Sequence, residues 1–244
     1  MKKYLKKILF GLFILLILFI ALLIIVKYNE EGEKSLPFKL SKIVIISTID
    51  GKSKGQTDTI WDIDINQIND LYITFDEGDR KEKEIIESIT FNNFSINQSK
   101  KLGEIKILAP TGDFGSTMYS NSTENYFDKD IVYNGGETND LKKLQIGNTG
   151  GTTAFRIEIA NIGNFKSNDE TVISYDGSIL QKVGLTSEDL KADVNVDITI
   201  KTNKDNYFRG NVEFQTPVGN LMEKSSCEKV IEDFSNIVFK RVKE

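Results

Sequence analysis

ADVNVDITIKTNKDNYFRGNVEFQT, residues 192–216, is the stretch that decides the reading of this chain. Val194, Val196, Ile198 and Ile200 alternate with polar residues, and Val212 and Phe214 resume the pattern. Successive side chains of an extended chain point to opposite faces, so a period of two marks a strand with one buried face. Two long strands are predicted, 192–202 and 206–216, with Lys201–Asn206 as the hairpin loop between them.

The same alternation spreads outward from there. It recurs in Trp61, Ile63 and Ile65, in Leu71, Ile73 and Phe75, in Phe155, Ile157 and Ile159, and in Ile237 and Phe239. Further strands are expected near 41–49, 60–66, 70–76, 84–97, 103–109, 130–134, 142–146, 152–160, 171–175 and 235–243. Turns are expected at Asp50-Gly51, Glu77-Gly78-Asp79, Asn134-Gly135-Gly136, Gly150-Gly151 and Asp176-Gly177. Helix signals are few, the best being a capped turn or two at Thr186–Leu190. Many short strands with few helices predict an antiparallel β-sandwich, jelly-roll-like, over residues 38–244. The polar, turn-rich interval 110–129 reads as a domain boundary or a long surface loop, and a single domain is expected because neither half repeats the other.

The N-terminus obeys a different rule. Ile8 to Val26 reads ILFGLFILLILFIALLIIV, without a charge or a side-chain hydrogen bonder. As a helix rising about 1.5 Å per residue it matches the hydrocarbon thickness of a bilayer, roughly 30 Å. The run is longer than the apolar part of a cleaved signal peptide, about 7–15 residues, and no small-x-small site follows it. An uncleaved signal anchor over 8–26 is therefore expected, after a basic tail at 1–7 and before a stalk at 27–37. Lys2, Lys3, Lys6 and Lys7 precede the run, whereas Glu30, Glu31 and Glu33 follow it. Retention of positive residues inside predicts a cytoplasmic N-terminus and an extracytoplasmic C-terminal domain.

Composition removes whole function classes. The 244 residues include no His and a single Cys, Cys227. Ser-His-Asp triads, Cys-His dyads, His-ligated zinc and intrachain disulfides are therefore excluded. From Tyr28 onward the chain carries 26 basic and 36 acidic residues, a net charge of -10 that repels nucleic acid. A high content of Ile, Lys and Asn with only four Arg suggests an AT-rich bacterial coding sequence. Cys227 reads as an inert or small buried thiol rather than a link between chains.

The remaining motifs fall short of their chemistry. Asp62, Asp64 and Asn66 have the opening spacing of a calcium loop. Gln67 and Ile73 occupy the places that need Gly and a bidentate Glu. Gly147-Asn148-Thr149-Gly150-Gly151-Thr152 lacks the Gly-Lys-Ser/Thr ending of a phosphate loop and leads into a strand. No catalytic set, metal set or cofactor is assigned. Trp61 fits the core face of its strand. Tyr119, Tyr126 and Tyr133 are the candidate ligand-facing residues of the 110–133 segment.

These readings predict a single-pass, non-enzymatic ectodomain. Its partners are the bilayer, through residues 8–26, and an unknown protein or cell-envelope component. A carbohydrate-binding or carbohydrate-processing jelly roll at the cell surface, or a structural subunit of a membrane complex, are the alternatives.

Overall fold

The computed structural model describes residues 2–57, 60–80, 84–112, 118–135, 146–147, 150–167 and 177–243. Helix α1, Lys2–Glu31, opens the chain and is followed by β1, Phe38–Thr57, β2, Ile60–Glu77, and β3, Ile86–Gln98. Next come β4, Glu104–Leu108, β5, Ile131–Asn134, β6, Ile146–Gly147, and β7, Gly150–Lys166. Short helix α2, Ser178–Lys182, precedes the hairpin of β8, Ala192–Thr202, and β9, Tyr207–Gln215. Helix α3, Leu221–Lys224, then β10, Ser226–Ile231, and β11, Lys240–Val242, complete the described elements.

Helix α1 is apolar on every face and exposed along its length, and it is long enough to cross a membrane. A spanning anchor and a signal sequence share this property. The strands form two antiparallel sheets. One has the order β10-β1-β2-β7-β4, with β6 also against β7; the other runs β11-β9-β8-β3-β5.

The two sheets share one hydrophobic core. Ile43, Ile45, Leu71, Ile73, Phe155 and Ile157 enter it from the first sheet, and Ile89, Phe91, Val196, Ile198 and Phe208 from the second. Aromatic rings cross the interior: Phe91 meets Phe155 at 5.4 Å and Phe38 meets Phe208 at 5.7 Å between centroids. Such tilted and edge-on pairs add to the burial energy of the rings themselves. This strand order does not establish the expected jelly-roll topology: β1 pairs with β2, and β8 with β9, as antiparallel neighbours within one sheet.

Strand β8 occupies its expected span, and β9 lies one residue inside its own at each end. Two departures concern β1 and β2. The expected turn at Asp50-Gly51 is absent: β1 runs through it, with an irregularity in its pairing between Ser53 and Gly55. The two strands expected at 60–66 and 70–76 are one. The polar stretch between them keeps the phase of the inward residues: Gln67 and Asn69 are buried in line with Ile63, Ile65, Leu71 and Ile73.

Hydrogen bonds make that burial tolerable. Asn69 Oδ1 accepts from the Ser47 hydroxyl at 2.6 Å, directly across the β1–β2 pair. Asn69 Nδ2 donates to the Ile157 carbonyl at 3.3 Å. Gln67 Nε2 donates to the Leu190 carbonyl at 3.0 Å and so fixes the 186–190 turn.

Strand β10 and helix α2 were not anticipated, and the expected strand 235–243 shrinks to Lys240–Val242. The capped segment at Thr186–Leu190 is a turn held by the Thr186 hydroxyl and amide on Asp189 Oδ2, both at 2.9 Å. The expected strand 171–175, and all of 142–146 except Ile146, lie outside the described residues.

Residues 27–37 do not form a free stalk. Helix α1 continues to Glu31 and stops at Gly32, whose φ of +69° suits glycine. A Cβ on Gly32 would stand 2.5 Å from the Phe239 carbonyl oxygen. The Glu33 amide donates to that carbonyl at 2.9 Å, and the Arg241 amide donates to the Tyr28 hydroxyl at 2.8 Å. The helix therefore enters the β domain beside the C-terminal strand, where Pro37 and Phe38 are already buried.

Candidate functional site

Loop 118–130 is held against the edge of β4. The Tyr126 amide donates to the Ile107 carbonyl at 2.8 Å, and Asn125 Oδ1 accepts the Ile107 amide at 3.0 Å. The Ser122 hydroxyl donates to the Ala109 carbonyl at 2.5 Å. These bonds occupy the strand edge and join the loop to the sheet.

The three tyrosines of this region do not share one surface. Tyr119 is buried with Met118, Leu108 and Ala154 in a small cluster apart from the main core. The Arg156 guanidinium lies 4.2 Å from its ring centroid and is held by Asp70 through two bonds of 2.7 and 2.9 Å. Among the described residues the Tyr119 hydroxyl has no hydrogen-bond partner, and burial, then the Asp70 charge, pushes its pKa up. Tyr133 belongs to β5 rather than to the loop; it is buried and donates its hydroxyl to the Ala154 carbonyl, so joining the two sheets. Burial raises its pKa as well. Tyr126 alone is half-exposed; burial and then the neighbouring Glu124 raise its pKa.

The acidic motif on β2 is engaged by cations. Asp62 lies 3.0 Å from the Lys166 amine and Asp64 lies 2.7 Å from that of Lys54. Asn164 donates to both carboxylates, at 2.7 and 3.1 Å. Bonds from Asn164 and Lys166 hold Asp62 below the usual carboxylate range, and the bond from Lys54 does the same for Asp64. Asn66 is turned to accept the Asn161 amide at 2.8 Å. No group of three or more His, Cys, Asp or Glu suited to a metal occurs among the described residues.

In the glycine-rich segment, Asn148 and Thr149 lie outside the described residues. Gly150 opens β7 so near Phe75 that a Cβ would stand 2.2 Å from its carbonyl oxygen. Trp61 is half-buried but is not among the residues packed on the hydrophobic core, and its amide donates to the Ser167 hydroxyl at 3.3 Å. Cys227 is a free, half-buried thiol on β10.

Two surfaces went unread in the sequence. The first is the outer face of β3, β8 and β9. Asn211 donates to Asp197 and to Asn195, both at 2.7 Å, and Asn195 donates to Glu213 at 2.7 Å. Asn93 donates to Asp197 at 2.8 Å, and Gln215 donates to Asp193 at 2.9 Å. The result is a continuous, exposed carpet of amides and carboxylates. Its signal lay in the polar half of the alternation that located β8 and β9.

The second is a groove of about 590 Å³ beside the exit of α1. Leu36, Phe38, Leu40, Phe234, Ile237 and Phe239 supply its apolar lining. No residue spacing marks it, because its lining comes from distant parts of the chain.

Compared with known protein families, with curated proteins and with solved structures, the chain matches none.

Proposed function

We propose that this protein is a single-pass membrane protein whose α1 is an uncleaved anchor and whose β-sandwich domain is displayed outside the cytoplasm. The display serves the binding of a protein or envelope partner and involves no catalysis. The observation that carries the reading is the junction. The C-terminal end of helix α1 is hydrogen-bonded to the domain, through Tyr28 to Arg241 and through Glu33 to Phe239. Cleavage in this region would remove partners that the C-terminal strand uses. Carbonate extraction of membranes tests it: the chain remains in the pellet at its full 27.6 kDa. Release of a shorter soluble species overturns the anchor.

A second reading has its own support. The amide and carboxylate carpet on β3, β8 and β9 offers paired donors and acceptors suited to the hydroxyl groups of a saccharide chain. It favours carbohydrate binding over carbohydrate processing. A glycan array with the full chain in detergent tests it. Binding lost in Asn211→Ala supports the reading, and a blank array removes it.

A further inference from the structure

The groove at the exit of α1 sits at a definable height above the bilayer. Glu31, the last helical residue, is five residues beyond Val26. At about 1.5 Å per residue this places the helix end roughly 7–8 Å outside the hydrocarbon. The polar layer of one leaflet is about 5–8 Å thick. The groove begins two residues later, at Glu33, and so opens at the outer margin of the lipid headgroups.

Its lining matches what a lipid presents there. Phe234, Ile237 and Phe239 give an apolar and aromatic wall. Glu33, Glu77, Asp79 and Glu232 stand around it, with Lys34 and Lys39 as the cations. The acidic excess disfavours a purely anionic headgroup. A zwitterion satisfies both signs: its phosphate has Lys34 and Lys39 to pair with, and its ammonium has the carboxylates and the aromatic wall. Continuity with the anchor supplies the occupant, since α1 keeps the groove over the leaflet from which such a lipid rises.

We infer that this groove binds the zwitterionic, amine-bearing headgroup of a phospholipid from the leaflet that α1 enters, an inference that rests on the anchor reading. The bound lipid acts as a second contact between domain and membrane. The test uses the full chain in detergent with equal amounts of short-chain phosphatidylethanolamine and phosphatidylglycerol. Native mass spectrometry counts the lipid retained.

Phosphatidylethanolamine is retained about fivefold over phosphatidylglycerol, equivalent to about 1 kcal/mol. Asp79→Lys with Glu232→Lys abolishes the preference, and the milder Glu232→Gln reduces it about twofold, a few tenths of a kcal/mol. Equal retention of the two lipids, or a preference unchanged in both variants, overturns the inference. Flotation with vesicles of either lipid separates the two readings. A chain that floats without preference keeps its anchor and loses the headgroup site, and one that fails to float loses both.

Discussion

Replacing Asn69 by Ala tests the interior of the first sheet. Asn69 is fully buried and accepts from Ser47, itself fully buried, while donating to the Ile157 carbonyl. Alanine leaves the Ser47 hydroxyl without its acceptor, at a cost of about 1–3 kcal/mol. Weakening of the Ile157 contact and the small void left behind add roughly 1 kcal/mol more. The expected loss is about 3 kcal/mol. For a domain of this size that lowers Tm by about 6–12 °C.

Asn211→Ala is the control. Asn211 makes comparable bonds with Asn195 and Asp197, but on an exposed face where water replaces them. Its cost is about 0.5 kcal/mol or less. Thermal unfolding of the two variants and the parent, in the same detergent at pH 7, makes the comparison. An Asn69→Ala Tm within about 2 °C of Asn211→Ala would refute the assignment of Gln67, Asn69 and Ser47 to a buried polar cluster.

Two further expectations concern titration. Tyr119 and Tyr133, their pKa values raised by burial, stay un-ionised past the usual tyrosine range near about 10. An ultraviolet alkaline titration therefore leaves two tyrosines silent until the domain unfolds, and full ionisation of a folded protein in the ordinary range contradicts their burial. Glu84 is buried, which works against its charge, but bonds from Asn206 and Thr202 and the Arg80 guanidinium outweigh this and lower its pKa. A lowered folded pKa contributes stability above the unfolded value, about 4.3, that is lost as pH falls through the folded value. Glu84→Gln costs about 1–2 kcal/mol at pH 7 and flattens the fall of Tm on acidification below about pH 4. An unchanged acid slope contradicts the assignment.

How much of this was legible depended on whether the deciding forces were local. Strands β8 and β9 were readable because unbroken alternation reflects one buried face. Strand β2 was split because Gln67 and Asn69 look like turn residues, although their in-phase positions with Ile65 and Leu71 carried the correct signal. Strand β10 escaped because SCEKVI is a mostly exposed edge with charges at Glu228 and Lys229, and so shows no clean period. The alternation in 235–243 suggests one strand, yet Ile237 and Phe239 line the groove, Phe239 against Phe38, and only Lys240–Val242 pair with β9. The site residues were harder still. Tyr119 and Tyr133 lie in or beside a polar stretch that suggests exposure, but Arg156 and Ala154, distant in sequence, pack on and bond to them in the interior.

The central claim is an uncleaved chain with its domain outside the cytoplasm. Its most direct measurement is labelling of intact cells with a membrane-impermeant maleimide, using a Cys227→Ser chain that carries Asn203→Cys in the exposed β8–β9 loop. Labelling is expected without lysis, on a band of the full 27.6 kDa. Labelling that appears only after permeabilisation, or on a band shortened by the length of α1, would contradict it.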